Sequence, residues 1–355
     1  MADRAELNWV NVMRAMCMMG VYVWHSETFT SAPDVLTPLI SPFCMAAFFF
    51  VSGYLFYRKA FCEHDAKFYA TCFSNILFRL VLPTLLFSAL LYIPRTLFHG
   101  QGASVADFLI CTIGGTTLWF TCALALMQLF ALLLLRLGLR NVWALLAVGL
   151  LLWFGYTQVD APFNALPWSY TSAMRYFLFF VIGGCFFRVE GRNSFENGRV
   201  QVLCLLLCTT AYLALYRFIP QVEPMLNHAV FLFAAFFGTM SILFLSRLSP
   251  RSAWLSFVGR RSISFYFLCG IVPAAMAKVV GLLGLVGGMV FHALSQVSFT
   301  ASSLSPASQR MFIAIFEQSA LYLPATSSRA FSSRSKNSSI MLSSSTCHTS
   351  SLILT

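Results

Sequence analysis

Residues 8–25 read NWVNVMRAMCMMGVYVWH, an apolar run interrupted by one guanidinium, Arg14, and closed by one imidazole, His25. At 1.5 Å per residue this run reaches about 27 Å as a helix, close to the roughly 30 Å hydrocarbon thickness of a bilayer. A charge in the inner part of a spanning helix costs about 2.5 to 3.5 kcal/mol on insertion scales. Arg14 is therefore expected to face a bundle interior or a wet cavity. His25 follows after three turns, so at 100° per residue the two side chains fall about 20° apart, on one face, with roughly 16 Å between them along the axis. They cannot touch, but they can line one passage.

The rest of the chain repeats the apolar pattern. Of 355 residues, 59% are hydrophobic and 10% charged, with a mean hydropathy of +0.77, whereas soluble domains carry about 25% charged residues. This excludes a water-soluble fold and leaves an all-α, polytopic transmembrane helix bundle. Apolar runs fall at about 8–25, 38–57, 76–93, 117–135, 141–156, 171–188, 200–219, 228–246 and 262–291, which predicts nine spans. Residues 106–117 are apolar but broken by Gly114 and Gly115, as suits a short re-entrant or interfacial piece.

The net charge of +11 does not point to nucleic acid, because the basic residues sit in short loops rather than on one polar face. Alternate gaps hold Arg58, Lys59 and Lys67; Arg136 and Arg140; Arg188, Arg192 and Arg199; and Arg247, Arg251, Arg260 and Arg261. The opposite gaps hold chiefly Arg95 and Arg217. By the positive-inside rule the N-terminus, with Arg4, is cytoplasmic. The run after Asn8 lacks a small-residue cleavage pattern and reads as a retained span rather than a signal peptide.

The 11 cysteines form no CxxC pair and no Cys/His spacing typical of zinc, and most lie inside apolar runs. They read as small packing residues, and no metal site is expected. After about Ser295 the character changes to a serine-rich stretch, Ser343-Ser344-Ser345 among it. Residues 1–295 are accordingly expected to form the membrane domain. Residues 296–355 read as a polar tail, either disordered or translated out of its original frame.

Histidine suits proton transfer near neutral pH because its ordinary pKa is about 6.5, which makes His25 the candidate base. Glu27, two residues on, could orient it if the helix ends there; in a continuing helix it would point away. Arg79 is the candidate for phosphate recognition, since a guanidinium grips phosphate through paired hydrogen bonds. Lys67 and Arg58 could add to its field. Ser52, Gly53 and Tyr54 fit close packing plus an interfacial hydroxyl, and Trp119 with Phe120 fits an interfacial aromatic belt.

The string Asn11-Val-Met-Arg14 followed by His25, then Phe49-Phe50-Val51-Ser52-Gly53-Tyr54, resembles the opening of the membrane-bound acyltransferase family 3. Arg79 four residues before Pro83, Trp119-Phe120, Gly183-Gly184 and Gly259-Arg-Arg-Ser262 leading to Tyr266 extend the resemblance over roughly residues 5–275. It implies a ten-helix bundle in the bacterial inner (plasma) membrane that moves an acyl group, often acetyl, from acyl-coenzyme A to a cell-surface carbohydrate. It also implies that Arg14 and His25 are required for transfer and that Arg79 handles the coenzyme A donor. Ile76 stands where the family's paired-arginine motif has its first arginine, Asn11 where an aspartate is common, and Cys269 where the late span often has a histidine.

The expected function is an O-acyltransferase in which His25 is general base or transient acyl acceptor, Glu27 orients it, and Arg14 stabilises negative charge. The expected partners are the bilayer and a carbohydrate acceptor; the sequence leaves the oligomeric state open. A transporter or flippase of a polysaccharide intermediate would equally need ionisable residues facing a cavity, and an inactive truncated relative is the third reading.

Overall fold

The computed structural model describes residues 2–30, 36–62, 66–99, 104–159, 167–190, 197–219, 224–249, 252–269 and 272. The serine-rich stretch from 296 and most of the expected run 262–291 lie outside the described residues.

All of the described regular structure is helical. In chain order the helices are α1 (Ala2–Thr30), α2 (Thr37–Cys62), α3 (Ala66–Ile76), α4 (Leu82–His99), α5 (Val105–Thr112), α6 (Trp119–Arg136), α7 (Val142–Thr157), α8 (Tyr170–Glu190), α9 (Gly198–Phe218), α10 (Pro224–Leu248), α11 (Ala253–Arg260) and α12 (Ser262–Leu268). Among the described residues six stretches are long and apolar enough to cross a bilayer: Thr37–Phe61, Lys67–Ile93, Trp119–Arg136, Pro167–Glu190, Gly198–Phe218 and Asn227–Leu248. α1 also has the length, with 29 residues, but its polar residues keep it less apolar. α7, with 16 residues, reaches about 24 Å. α5 has only eight residues, about 12 Å, and cannot cross.

The core is built on α2 and α8, which run parallel: Phe49 stacks on Tyr176, while further along Tyr54 reaches Glu190. Their backbones come together because neither Gly53 nor Gly183 carries a side chain. A Cβ on Gly53 would overlap the Phe180 carbonyl, and one on Gly183 the Phe50 carbonyl. Small residues at a helix interface permit such contact, as the sequence suggested for Gly53. α1 packs antiparallel on α2, with Trp9 against Tyr54 at one end and the Cys44 thiol bonded to the Cys17 carbonyl further up. It packs parallel to α11 and α12, where Ser256 donates to Asn8 at 2.8 Å and Tyr22 donates to the Phe265 carbonyl at 3.1 Å.

The helix ends bearing Arg188 and Arg247 gather at one end of the bundle. Arg188 lies 4.1 Å over the Phe61 ring, and Arg247 pairs with Glu190. That Glu190 also accepts from Tyr54 at 2.7 Å, so a single carboxylate ties α2, α8 and α10. At the opposite end Tyr212 donates to the Leu39 carbonyl, and Arg175 lies over Phe231 and Tyr156.

The third expected span begins earlier than its hydropathy implied. Residues 66–76, AKFYATCFSNI, mix polar with apolar side chains, so an apolar run registers only from Ile76, yet the helix starts at Ala66. It then widens into a π turn, Leu77–Val81, closed by the Leu82 N–H donating to the Leu77 carbonyl. Pro83 supplies the cause: it has no N–H to offer the Arg79 carbonyl, and its ring would collide with that carbonyl in an α-helix.

Candidate functional site: a cation-lined cavity under the first helix

A cavity of about 400 Å³ lies among α1, α2, the α3–α4 helix, α6 and α12. Its α2 wall runs from Met45 to Lys59, about 21 Å along the axis. Towards the end bearing Arg188 and Arg247 the lining is polar, with Lys59, Asn75 and Gln128; Arg14, Ser52 and Arg79 also face it. Towards the other end it is Val21, Met45, Phe48, Phe120 and Tyr266. Among the described residues no aspartate or glutamate lines it.

α1 places its site residues as helical register requires. Arg14 and Val21 both line the cavity; they are two turns apart and about 20° out of register. His25 continues the same stripe one turn beyond Val21, outside the cavity, with its ring stacked on Trp24 at 6.3 Å. Arg14 has no ion-pair partner among the described residues. Its position is fixed from behind by α11, which reaches the backbone of α1 at Asn11 because Gly259 has no Cβ to collide with the Asn11 carbonyl. Gly259 is part of the Gly-Arg-Arg-Ser string, so the motif has a packing reason next to the arginine.

α1 stays helical through Thr30. The condition under which Glu27 could orient His25, a helix ending before residue 27, is therefore not met: Glu27 stands about 200° around the axis from His25. The Glu27 side chain lies outside the described residues.

Arg79 reaches the cavity from the π turn, well inside the long third helix rather than at its start. π turns recur at functional sites because they re-aim a side chain within a helix. The signal was present in the sequence as Pro83 four residues later. The lysine that lines the cavity is Lys59, rather than Lys67 or Arg58. Ser262, which closes the Gly-Arg-Arg-Ser string, lines it too. Gln128 and Asn75 also line it and were not singled out by sequence; their spacing resembles that of any polar residue in an apolar run. Ser52 lines the cavity and returns its hydroxyl to the Phe48 carbonyl at 2.9 Å.

Phe120 departs from expectation. Rather than sitting in an interfacial belt, it is buried among Phe48, Phe49 and Tyr266, with ring centroids 4.8–5.5 Å away. Residues 113–118 carry the chain into the protein before α6 starts. Gly115, at φ +71°, makes the turn, and the Gly114 carbonyl accepts from the Trp168 N–H at 2.7 Å. Trp168 and Ser169 themselves hold positive φ, 57° and 50°.

A lining with three cations and, among the described residues, no carboxylate suits a polyanion, and the apolar end beside it suits an uncharged group. Among the described residues no three histidines, cysteines or acids come together as a metal site would require.

The chain matches the acyltransferase 3 family, described as an acyltransferase domain, over residues 7–305. No curated protein and no solved structure matches it.

Proposed function

The chain belongs to the acyltransferase 3 family, and from that membership we propose that it is an O-acyltransferase of the bacterial inner membrane. It takes an acyl group, most simply acetyl, from cytoplasmic acyl-coenzyme A and delivers it to a carbohydrate hydroxyl on the outer side. The observation that carries this reading is the stripe on α1, with Arg14 inside a cation-lined cavity and His25 one turn beyond the cavity's limit on that helix.

In this reading the N-terminus is cytoplasmic, and the donor enters from the basic end. Arg79 and Lys59 hold its phosphates, and Arg14 faces the negative charge that develops in transfer. His25 removes the proton of the acceptor hydroxyl or accepts the acyl group for one step. The continuing helix removes the orienting part from Glu27.

Deletion of the gene tests the proposal. Surface glycan in normal amount but without its esters is the expected result. A loss of the glycan itself would make the protein a transporter, and unchanged ester content would overturn the assignment to carbohydrate acylation.

A further inference from the structure

The cavity ends against a tyrosine whose hydroxyl is half used. Tyr266 on α12 is buried, 9% exposed, and lines the cavity. Its oxygen accepts a hydrogen bond of 3.2 Å from the N–H of Phe120. That amide belongs to the first turn of α6, where Leu118 at the N-cap offers no side-chain oxygen; such first-turn amides have no partner within their own helix. The bond fixes where the Tyr266 oxygen sits, and ring contact with Phe120 at 5.2 Å fixes the plane of its ring. A phenol both donates and accepts, and here the accepting side is occupied from within. The donating side has no acceptor among the described residues. A buried donor left unmet costs free energy, so a hydroxyl built into a cavity wall in this way is suited to an acceptor that arrives from outside.

We propose that Tyr266 donates its hydroxyl hydrogen to the carbonyl oxygen of the bound acyl thioester and is a catalytic residue of the transfer. The proposal rests on the acyltransferase reading above and adds to it the group that receives the developing oxyanion. When the acceptor oxygen, or His25 in a two-step route, attacks the thioester carbon, the carbonyl π pair moves onto oxygen, and the Tyr266 O–H···O bond shortens. Collapse of the tetrahedral intermediate re-forms the carbonyl and breaks the carbon–sulfur bond. The thiolate of coenzyme A leaves and takes up the proton released by the acceptor hydroxyl, so an alcohol and a thioester become an ester and a thiol. The amide dipoles at the start of α6 bear on the same oxygen through Tyr266, because the Phe120 N–H polarises the hydroxyl towards stronger donation.

The acidic hydrogen of Tyr266 leaves with its oxygen in Tyr266→Phe, while the ring stays. The test uses the full chain in lipid nanodiscs and two probes, acetyl-coenzyme A and its S-ethyl thioether analogue, which lacks the carbonyl. The wild-type protein is expected to bind the thioester about five- to tenfold more tightly, the value of one hydrogen bond. Tyr266→Phe is expected to bind the thioether as the wild type does, to lose that preference, and to transfer about 100-fold more slowly, as when an oxyanion donor is removed. A wild type that binds both probes equally, or a variant that keeps both the preference and the rate, would overturn the assignment of Tyr266. A wild type that binds neither probe would overturn the acyl-coenzyme A reading beneath it, and this proposal with it. If Tyr266→Phe fails to bind the thioether, replacement of Tyr266 by a fluorinated tyrosine decides the matter. It keeps the bond from Phe120 and is a stronger donor, so the preference must rise; an unchanged preference overturns the proposal.

Discussion

Gly53 on α2 and Gly183 on α8 each stand where a Cβ would overlap a carbonyl oxygen of the opposite helix, that of Phe180 in one case and of Phe50 in the other. The two glycines make this the closest kind of helix contact, backbone against backbone, in a setting where lipid tails give no hydrophobic drive between helices and packing must hold the bundle. A neighbouring backbone cannot step aside as a side chain can. Gly53→Ala or Gly183→Ala is therefore expected to destabilise the bundle by about 3 kcal/mol, the upper end of overpacking costs. The check is the thermal transition in detergent, which should fall clearly for either variant; an unaltered transition would mean that the helices are further apart.

His25→Ala is expected to lower transfer by about 10²–10⁴-fold, the range for loss of a general acid or base, while the protein still inserts. Ester content of the surface glycan in a strain carrying only the variant reads the effect, and full ester content refutes the role.

Arg14→Ala is expected to be inactive as well, but with an unchanged or higher thermal transition. Arg14 has no ion-pair partner among the described residues, so its removal relieves the cost of holding a charge at depth. An active Arg14→Ala protein would remove it from the mechanism; an inactive one with a much lower transition would make it a structural residue.

Pro83→Ala restores an N–H that can bond the Arg79 carbonyl and lets the π turn relax to an α-helix. One residue fewer per turn rotates Arg79 away from the cavity by about 100°. The expected result is a KM for acyl-coenzyme A about tenfold higher with kcat changed less, which steady-state kinetics on membranes can separate; tenfold corresponds to one charge-assisted hydrogen bond. Equal effects on both would mean that the turn serves the chemical step.

Glu190 accepts from Tyr54 and pairs with Arg247, and the Arg247 guanidinium lies 5.9 Å from the Trp9 and Phe186 rings. The pair is partly buried, each side chain 12% exposed, so removing one partner is expected to cost less than the about 3–5 kcal/mol of a fully buried pair. Glu190→Ala should therefore lower the thermal transition more than the double variant with Arg247→Met does. A double variant that is worse than Glu190→Ala alone would show that the arginine is held by the aromatic rings instead.

Much of α1 is legible in the sequence, because a 3.6-residue period fixes which side chains share a face. Arg14, Val21 and His25 fall on one stripe for that reason alone. The order of long apolar helices is legible on the same ground. What hydropathy conceals is partnership between distant segments. Nothing in the sequence joins Tyr266 to Phe120, 146 positions apart, or α2 to α8, and Arg247 counts as an ordinary basic loop residue until Glu190 is beside it. Depth is concealed too. Arg79 reads as the start of a span because the polar residues before it look like a loop, and Phe120 reads as interfacial because the two glycines before it hide a chain that turns inward.

The phosphates that Lys59 and Arg79 would grip are the same before and after the acyl group has gone. On the proposed reading, a cavity built on those cations, with no carboxylate among its described lining residues to repel a bound anion, would hold the spent carrier by every contact except the one that Tyr266 makes to the acyl carbonyl. Turnover would then be paced by the departure of free coenzyme A, as many enzymes are paced by product release, and the ratio of acylated to free carrier in the cell would be the throttle.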